Sequence, residues 1–454
     1  MHSVSIGAAV LAIVFQTILP IFETSTDYLG LSIADPSTGA VGVTVRSSDG
    51  TVAGEGTVSI DPGGQQARLL HEVVETGAVP GAGWVEVESG NGARNAVLAF
   101  GDAGRLAMAA PGVAGRTLLL PDVRVATGFL ELGYTDTLVH IVVPGAGAAT
   151  VTLRLVGMDG AVVASASVLV PAGGSRTLTV SETFGSFLPD NGLGGRTFRG
   201  YFHLESDQDM LAWQLIETPL GRAVLEGAAP GIVSTPVMVP FFVFGGESQY
   251  RSTLNIINTS DTEVTLDLAA DIDGGEWTAS RTLAPGAVLG DTIQNIFGIL
   301  TVQTFPPPLV SGAVRITSNS PAPAITGSMT VNAIGQGGYN ESVMSYPVGG
   351  PSGTSWVLPF GVSGGGYFTG YAISNPNALL TVQTDVTIEV FAADGSLVES
   401  RQVSLSPRGM STGLIPDGVG SGFIRISSNM PVRVVGSVGT SDPATLERVP
   451  AIAP

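Results

Sequence analysis

The sequence predicts an all-β protein of four tandem antiparallel β-sandwich repeats, each with about seven strands. Three observations predict it. The 454 residues are 44% hydrophobic and only 13% charged, enough apolar material for three or four buried cores and too little charge for a disordered polymer. The 62 glycines and 29 prolines punctuate valine- and threonine-rich runs, the texture of short strands joined by tight turns. A set of turn and strand markers also recurs four times along the chain, and internal repetition decides architecture before any motif does.

Taken in order, the chain begins with an apolar stretch, Ile6 to Phe15 (IGAAVLAIVF). It has the length of an export-signal core, but no Lys or Arg precedes it and no A-x-A site follows. Ten residues are too few to span a bilayer. Three readings stay open: a degenerate signal peptide, the tail of a preceding segment in a truncated chain, or a strand that pairs elsewhere. The first marker is a proline after an apolar run, at Pro20, Pro121, Pro240 and Pro359.

Next comes an alternating strand closed by Asp-Gly. Its four versions are Val41, Val43 and Val45 before Asp49-Gly50; Val151, Leu153 and Leu155 before Asp159-Gly160; Val264, Leu266 and Leu268 before Asp273-Gly274; and Val386, Ile388 and Val390 before Asp394-Gly395. Alternation implies one dry and one wet face, and Asp-Gly supplies the positive φ of a hairpin turn. A return strand and a proline turn follow, at Pro62, Pro171, Pro285 and Pro407. A glycine-initiated strand then ends in Ser89, Ser206, Ser318 or Ser428, and a last strand begins near Asn95, Met210, Ala324 or Val432.

These markers divide the chain into an apolar segment, 1–16, and repeats at 17–114, 115–233, 234–352 and 353–454. About seven strands in 100 to 120 residues suit an immunoglobulin-like (Ig-like) sandwich without its cysteine pair. The middle repeats carry inserts, from Val180 and from Asp291, long enough for a helical turn across the sandwich end. The order VLPF, Asn375-Pro376, Asp-Gly, Pro-Gly and GxVRIxS followed by Pro431-Val432 resembles the tandem Ig-like repeats of large bacterial extracellular proteins. The resemblance spans nearly the whole chain and implies surface location with a structural or adhesive role; it brings no catalytic or ligand residue.

The chemistry of the composition narrows the function. Net charge is −19 and all 19 basic residues are arginines spread along the chain, so the basic stripe that holds phosphates is missing and nucleic acid is not expected as a partner. Zero cysteines exclude disulfides and thiolate chemistry. Gly361-Val362-Ser363-Gly364-Gly365 matches a hydrolase elbow, but the residues after it read as a strand where the elbow needs a helix. The histidines, His2, His71, His140 and His203, lack zinc or triad spacing, and His203 falls on a wet strand face. Asp271 and Asp273 lack the further oxygen ligands of a calcium loop. Trp84, Tyr201 and Phe423 recur just after the strand-initiating glycine, where the third repeat has Ala313; a sugar platform would use such aromatics, but an aromatic flanking a strand more often packs against a linker.

No catalytic, cofactor-binding or metal-binding residue is therefore expected. The expected function is that of a non-enzymatic, bacterial, secreted or cell-surface structural protein, with sandwiches strung end to end as an array, stalk or filament subunit. Self-association through edge strands or the N-terminal strand is the expected partnership. The alternative is a glycan- or protein-binding module that uses the inserts of repeats 2 and 3.

Overall fold

The computed structural model describes residues 15–22, 28–35, 39–61, 63–74, 79–89, 95–102, 105–127, 135–190, 192, 195–219, 221–231, 233, 236–272, 275–299, 307–320, 324–334, 341–376, 383–441 and 444–452. They form an almost entirely antiparallel β protein, β-sandwich-like throughout. Among them no helix is long and apolar enough to cross a membrane.

The first chain segment holds β1 (Phe15–Ile21), β2 (Tyr28–Asp35), β3 (Gly39–Ser47), β4 (Val52–Ile60), β5 (Gly64–Leu69), the short helix α1 (Leu70–Val73), β6 (Gly83–Ser89), β7 (Ala96–Asp102) and β8 (Arg105–Ala109). The second holds β9 (Gly115–Ala126), β10 (Asp136–Val142), β11 (Ala149–Gly157), β12 (Val162–Val170), β13 (Ser175–Thr179), α2 (Val180–Phe184), the long β14 (Thr197–Glu217) and β15 (Arg222–Glu226). In the third are β16 (Val237–Phe244), β17 (Tyr250–Asn258), β18 (Val264–Ile272), β19 (Gly275–Leu283), β20 (Val288–Thr292), α3 (Ile293–Phe297), β21 (Val310–Ser318), β22 (Ile325–Ile334) and β23 (Glu341–Pro347). The fourth has β24 (Gly353–Gly361), β25 (Tyr367–Ser374), β26 (Thr384–Ala392), β27 (Leu397–Leu405), β28 (Met410–Leu414), the long β29 (Gly422–Ser441) and β30 (Ala444–Val449).

In the first segment the sheets run β1-β6-β3-β4 and β5-β2-β7-β8. The third repeats that order as β16-β21-β18-β19 and β20-β17-β22-β23. In the second and fourth, β14 and β29 serve both sheets, one half pairing with β9 and β11 or β24 and β26, the other with β10 and β15 or β25 and β30. One sheet thus carries the first, third, fourth and sixth strand positions, and the other the second, fifth, seventh and eighth. An immunoglobulin constant domain instead groups its first, second, fourth and fifth strands. The difference is that each segment's first strand pairs with the sixth, in the sheet of the third and fourth, and an eighth strand joins the second sheet.

Alternation produces these strands. In β3, Val41, Val43 and Val45 are buried while Gly42 and Thr44 are half-exposed, so one face meets the core formed with Leu31, Ile33, Val85 and Val87. The Asp-Gly hairpins follow, with Gly50, Gly160 and Gly395 at φ of 91°, 86° and 83°; Asp273-Gly274 lies outside the described residues. The inserts become α2 and α3, which drop Val180, Phe184, Ile293 and Ile296 into the cores below.

The proline marker has a specific structural effect. Proline has no N–H for the ladder, and the register skips at Leu120/Val123, Val239/Phe242 and Leu358/Gly361. Two residues there oppose one, a bulge: Pro121-Asp122 face Tyr201, Pro240-Phe241 face Ala313, and Pro359-Phe360 face Phe423. In the first segment Pro20 pairs with Trp84 without a skip.

The segments do not run end to end. The residue before an Asp-Gly turn accepts a backbone bond from the residue after the next segment's proline turn: Ser175 N–H to Ser48 O (2.9 Å) and Val288 N–H to Met158 O (2.9 Å). The fourth segment bonds the first in the same way, Gln65 N–H to Ala393 O (3.2 Å). Between the third and fourth, Arg433 donates to Met238 O (3.0 Å). The chain therefore closes on itself, the fourth segment meeting the first, where a string would leave those two apart.

Candidate binding cavities at the seams

At each seam, the outer face of one segment's second sheet meets the proline strand of the segment before it. Residue identity on that face is set by register. In β10, His140 sits between Thr177 and Trp213, and Leu138 between Thr179 and Leu215. The same places hold Asn255 between Gly290 and Ser328, and Thr253 between Thr292 and Thr330, in β17. In β25 they hold Ala372 between Thr412 and Val435, and Gly370 between Leu414 and Ser437. In β2 they hold Ser32 between Ala67 and Val97, and Gly30 between Leu69 and Ala99.

Three of the four seams share the turn-to-turn backbone bond, the third–fourth seam is bridged by Arg433, and the four differ in filling. The first–second seam is dry and aromatic: Phe22, Trp84, Phe100, Leu138, Trp213 and Leu215 form one buried cluster. Trp84 Nε1 donates to Gly173 O (2.9 Å) and Trp213 Nε1 to Ala110 O (3.0 Å), so both indoles bury without an orphaned donor. His140 lies in this cluster, its ring 5.3 Å from Phe22 and its Nδ1 2.9 Å from Thr177 Oγ1. Burial holds its pKa down at about 3, so the ring is neutral.

The second–third seam is polar. Asp122, from the bulge, takes two bonds from Arg124 (2.7 and 2.8 Å) and one from Thr330 across the seam. Gln214 Nε2 donates to Asp122 O (3.0 Å). Tyr201 packs there with Leu119, Ile257 and Val288.

The remaining two seams contain cavities. One of about 250 Å³ lies between the third and fourth segments, with Phe241, Val243, Gly370, Leu414 and Ser437 in its wall. Its counterpart between the fourth and first is about 430 Å³, bounded by Gly30, Leu69, Ala99, Leu106, Met108 and Phe360. Both arise where Gly370 and Ser437, or Gly30 and Ala99, stand at the places filled by Leu138 and Leu215 in the first seam. A Cβ on Gly30 would be in ordinary contact with backbone oxygens of its own sheet, Arg68 O at 3.7 Å and Ala99 O at 3.9 Å, and would meet no atom of the facing strand within 4 Å.

The eighth strands meet at the middle of the molecule in a charged hub. Arg222 is fully buried, 2.8 Å from Glu217 and 3.3 Å from Asp102 of the first segment. Arg448 reaches both oxygens of Glu226 at 3.0 Å, joining the fourth segment to the second. Glu447 is buried beside Arg222, and desolvation pushes its carboxyl well above the usual range. Asp102 is held below its ordinary value by the Arg105 hydrogen bond and further by the Arg222 charge. Breaking a buried pair of this kind costs about 3–5 kcal/mol, so the hub locks the segments together.

The residues singled out by sequence are mostly committed to structure. Ser363 is 5% exposed, its N–H bonded to Val419 O (2.8 Å) and its Oγ 3.4 Å from Asp417. The next element is β25, so the helix that an elbow requires is replaced by a strand. His203 sits between Arg154 and Glu205 on a half-exposed face, His71 is exposed on α1, and His2 lies outside the described residues. Asp271 is half-buried near Arg315, with burial raising its pKa. Among the described residues, no group of three His, Cys, Asp or Glu is placed to hold a metal.

Trp84, Tyr201 and Phe423 are 2%, 7% and 6% exposed, which removes them as a sugar platform. Phe423 stacks on Phe391 at 4.9 Å and packs with Ala34 of the first segment. All three are seam residues set opposite the prolines. Sequence reasoning missed both cavities and the hub; the glycines inside strands, Gly30 in β2 and Gly370 in β25, were the local signs of missing volume.

The sequence matches no protein-family profile and no curated protein. Among solved structures it is similar to the crystal structure of Thermotoga maritima 1070, at 15% identity over 26% of this chain and 94% of that one, with a TM-score of 0.20. It is also similar to a glycoside hydrolase family 32 structure from Bifidobacterium adolescentis, at 10% identity over 95% of this chain and 100% of that one, with a TM-score of 0.15. Likeness at this level carries no inference about the chain.

Proposed function

We propose that this chain is a non-enzymatic structural protein of the bacterial cell exterior, built from four copies of one sandwich repeat, 17–114, 115–233, 234–352 and 353–454, closed into a ring. The observation that carries the reading is the recurring turn-to-turn backbone bond, Ser48 with Ser175, Met158 with Val288 and Ala393 with Gln65. Among the described residues the same pair of turns joins the first repeat to the second, the second to the third and the fourth to the first, so the unit of function is the whole ring. The Ig-like label extends to a two-sheet sandwich and not to the immunoglobulin strand order.

Assembly of such rings would use their outer edges. β4, β12, β19 and β27 each end a sheet, and Val52, Val162, Val163, Leu169, Leu397 and Val398 are exposed on three of them. Unpaired edges bearing apolar side chains invite pairing with another copy. α2 and α3 turn Val180, Phe184, Ile293 and Ile296 into the cores, while Phe187, just after α2, is exposed and is the place where an insert could meet a glycan or protein.

Cell fractionation with electron microscopy tests the reading. Protein recovered outside the cell as discrete or laterally associated rings is expected; a cytosolic, unassembled protein would refute it. Small-angle scattering tests closure separately, since a compact chain of this length has a radius of gyration of about 22 Å, and a linear string would be far larger.

A further inference from the structure

We propose that the cavity between the fourth and first segments binds a neutral, apolar small molecule of one or two rings. The walls specify the chemistry. Leu69, Leu106, Met108, Phe360, Val362 and Val438 face the space, and the charged side chains in its lining, Arg68 and Glu72, are exposed. A ligand seated inside meets hydrocarbon and sulfur. About 430 Å³, open to solvent on the side of Arg68 and Tyr367, lies within the range of small-molecule sites.

The molecule itself shows what such a seam accepts. At the first–second seam the corresponding sheet positions are filled by Leu138 and Leu215, with the Trp213 indole beside them. Ring closure brings the same two surfaces together at the fourth–first seam, where Gly30 and Ala99 supply no filler. A ligand there would take the place that the chain's own leucines and indole occupy elsewhere. Met108 and Phe360 suit a variable ring, because a thioether adapts its shape and packs well against aromatic edges.

This inference rests on the closed ring, so its test measures both. The full chain is titrated with 6-propionyl-2-(dimethylamino)naphthalene, a neutral two-ring probe whose fluorescence brightens in apolar surroundings, and scattering is recorded on the same samples. The expected result is a saturable rise that weakens at least tenfold in Gly30→Leu, with an unchanged radius of gyration. Ala99→Leu fills the same space from the neighbouring strand and is expected to match it, which keeps the test decisive if one variant fails to fold. No saturable rise in the wild type, or one retained by folded Gly30→Leu or Ala99→Leu, overturns the proposal. Loss of binding capacity in a compact wild type refutes the site alone; an extended wild type refutes the ring beneath it.

Discussion

The first–second and fourth–first seams are built on the same backbone contacts and hold opposite contents. In both, an Asp-Gly turn meets the next segment's proline turn, and a proline strand lies over the neighbouring sheet. One seam is packed with two indoles, two phenyl rings and a neutral histidine; the other keeps a cavity of about 430 Å³. Turn geometry therefore brings segments together, and a few outward side chains decide whether the join is a core or a pocket.

The largest expected effect comes from emptying the filled seam. Trp213→Ala should cost about 3–5 kcal/mol, read as a shift in the denaturant midpoint, and should create probe binding where the wild type has none. A loss below about 1 kcal/mol would mean that this seam collapses as readily as the other is left open.

Acid should weaken the filled seam selectively. His140 is neutral in the fold with a pKa of about 3, whereas an unfolded histidine titrates near about 6.5. Below pH about 6.5 the unfolded chain takes up a proton that the native chain refuses, so stability falls with falling pH until the folded pKa is passed. The loss from this residue reaches about 2 kcal/mol at pH 5, at ~1.4 kcal/mol per pH unit. Urea titrations at pH 7 and 5 should show it, and His140→Gln should remove that part of the slope.

The hairpin glycines sharpen the comparison at the turns. A Cβ on Gly50 would lie 2.4 Å from Ala172 O at the filled seam, and one on Gly395 3.1 Å from Gly63 O at the open one. Both glycines have positive φ, so the backbone strain is shared and the clash differs. Gly50→Ala should cost about 2 kcal/mol and Gly395→Ala about 1 kcal/mol; equal melting temperatures would show that the turns do not touch in solution.

The smallest effect is a gain. Gly30→Leu should stabilise the protein by about 0.5–1 kcal/mol through cavity filling, seen as a modest rise in melting temperature. A destabilised variant would show that the cavity beside Gly30 takes no leucyl side chain without displacing its walls.

Much of this molecule is legible in single residues of the sequence. Val41, Val43 and Val45 announce a strand because period two is a local property, and Asp159-Gly160 announces a hairpin because only its own φ must be positive. The insert at Val180 could be read as a helical turn for the same reason. Trp84, Tyr201 and Phe423 could be recognised as recurrent, but their role depends on what opposes them: a proline pair or partner on the first strand, then the neighbouring segment.

By itself, then, the sequence determined the all-β class, the alternating faces, the turns and the recurring proline marker, since each depends on residues a few positions apart. Tertiary structure alone decided that the first and last segments meet, through contacts such as Ser32 Oγ to Pro359 O across 327 positions. It also decided that Gly30 and Ala99 face a cavity and that Arg222, Asp102 and Glu217 share a hub. Contacts this distant leave no periodic trace, because loop closure over hundreds of residues is stabilised by the summed surface of the seams and not by any local pattern.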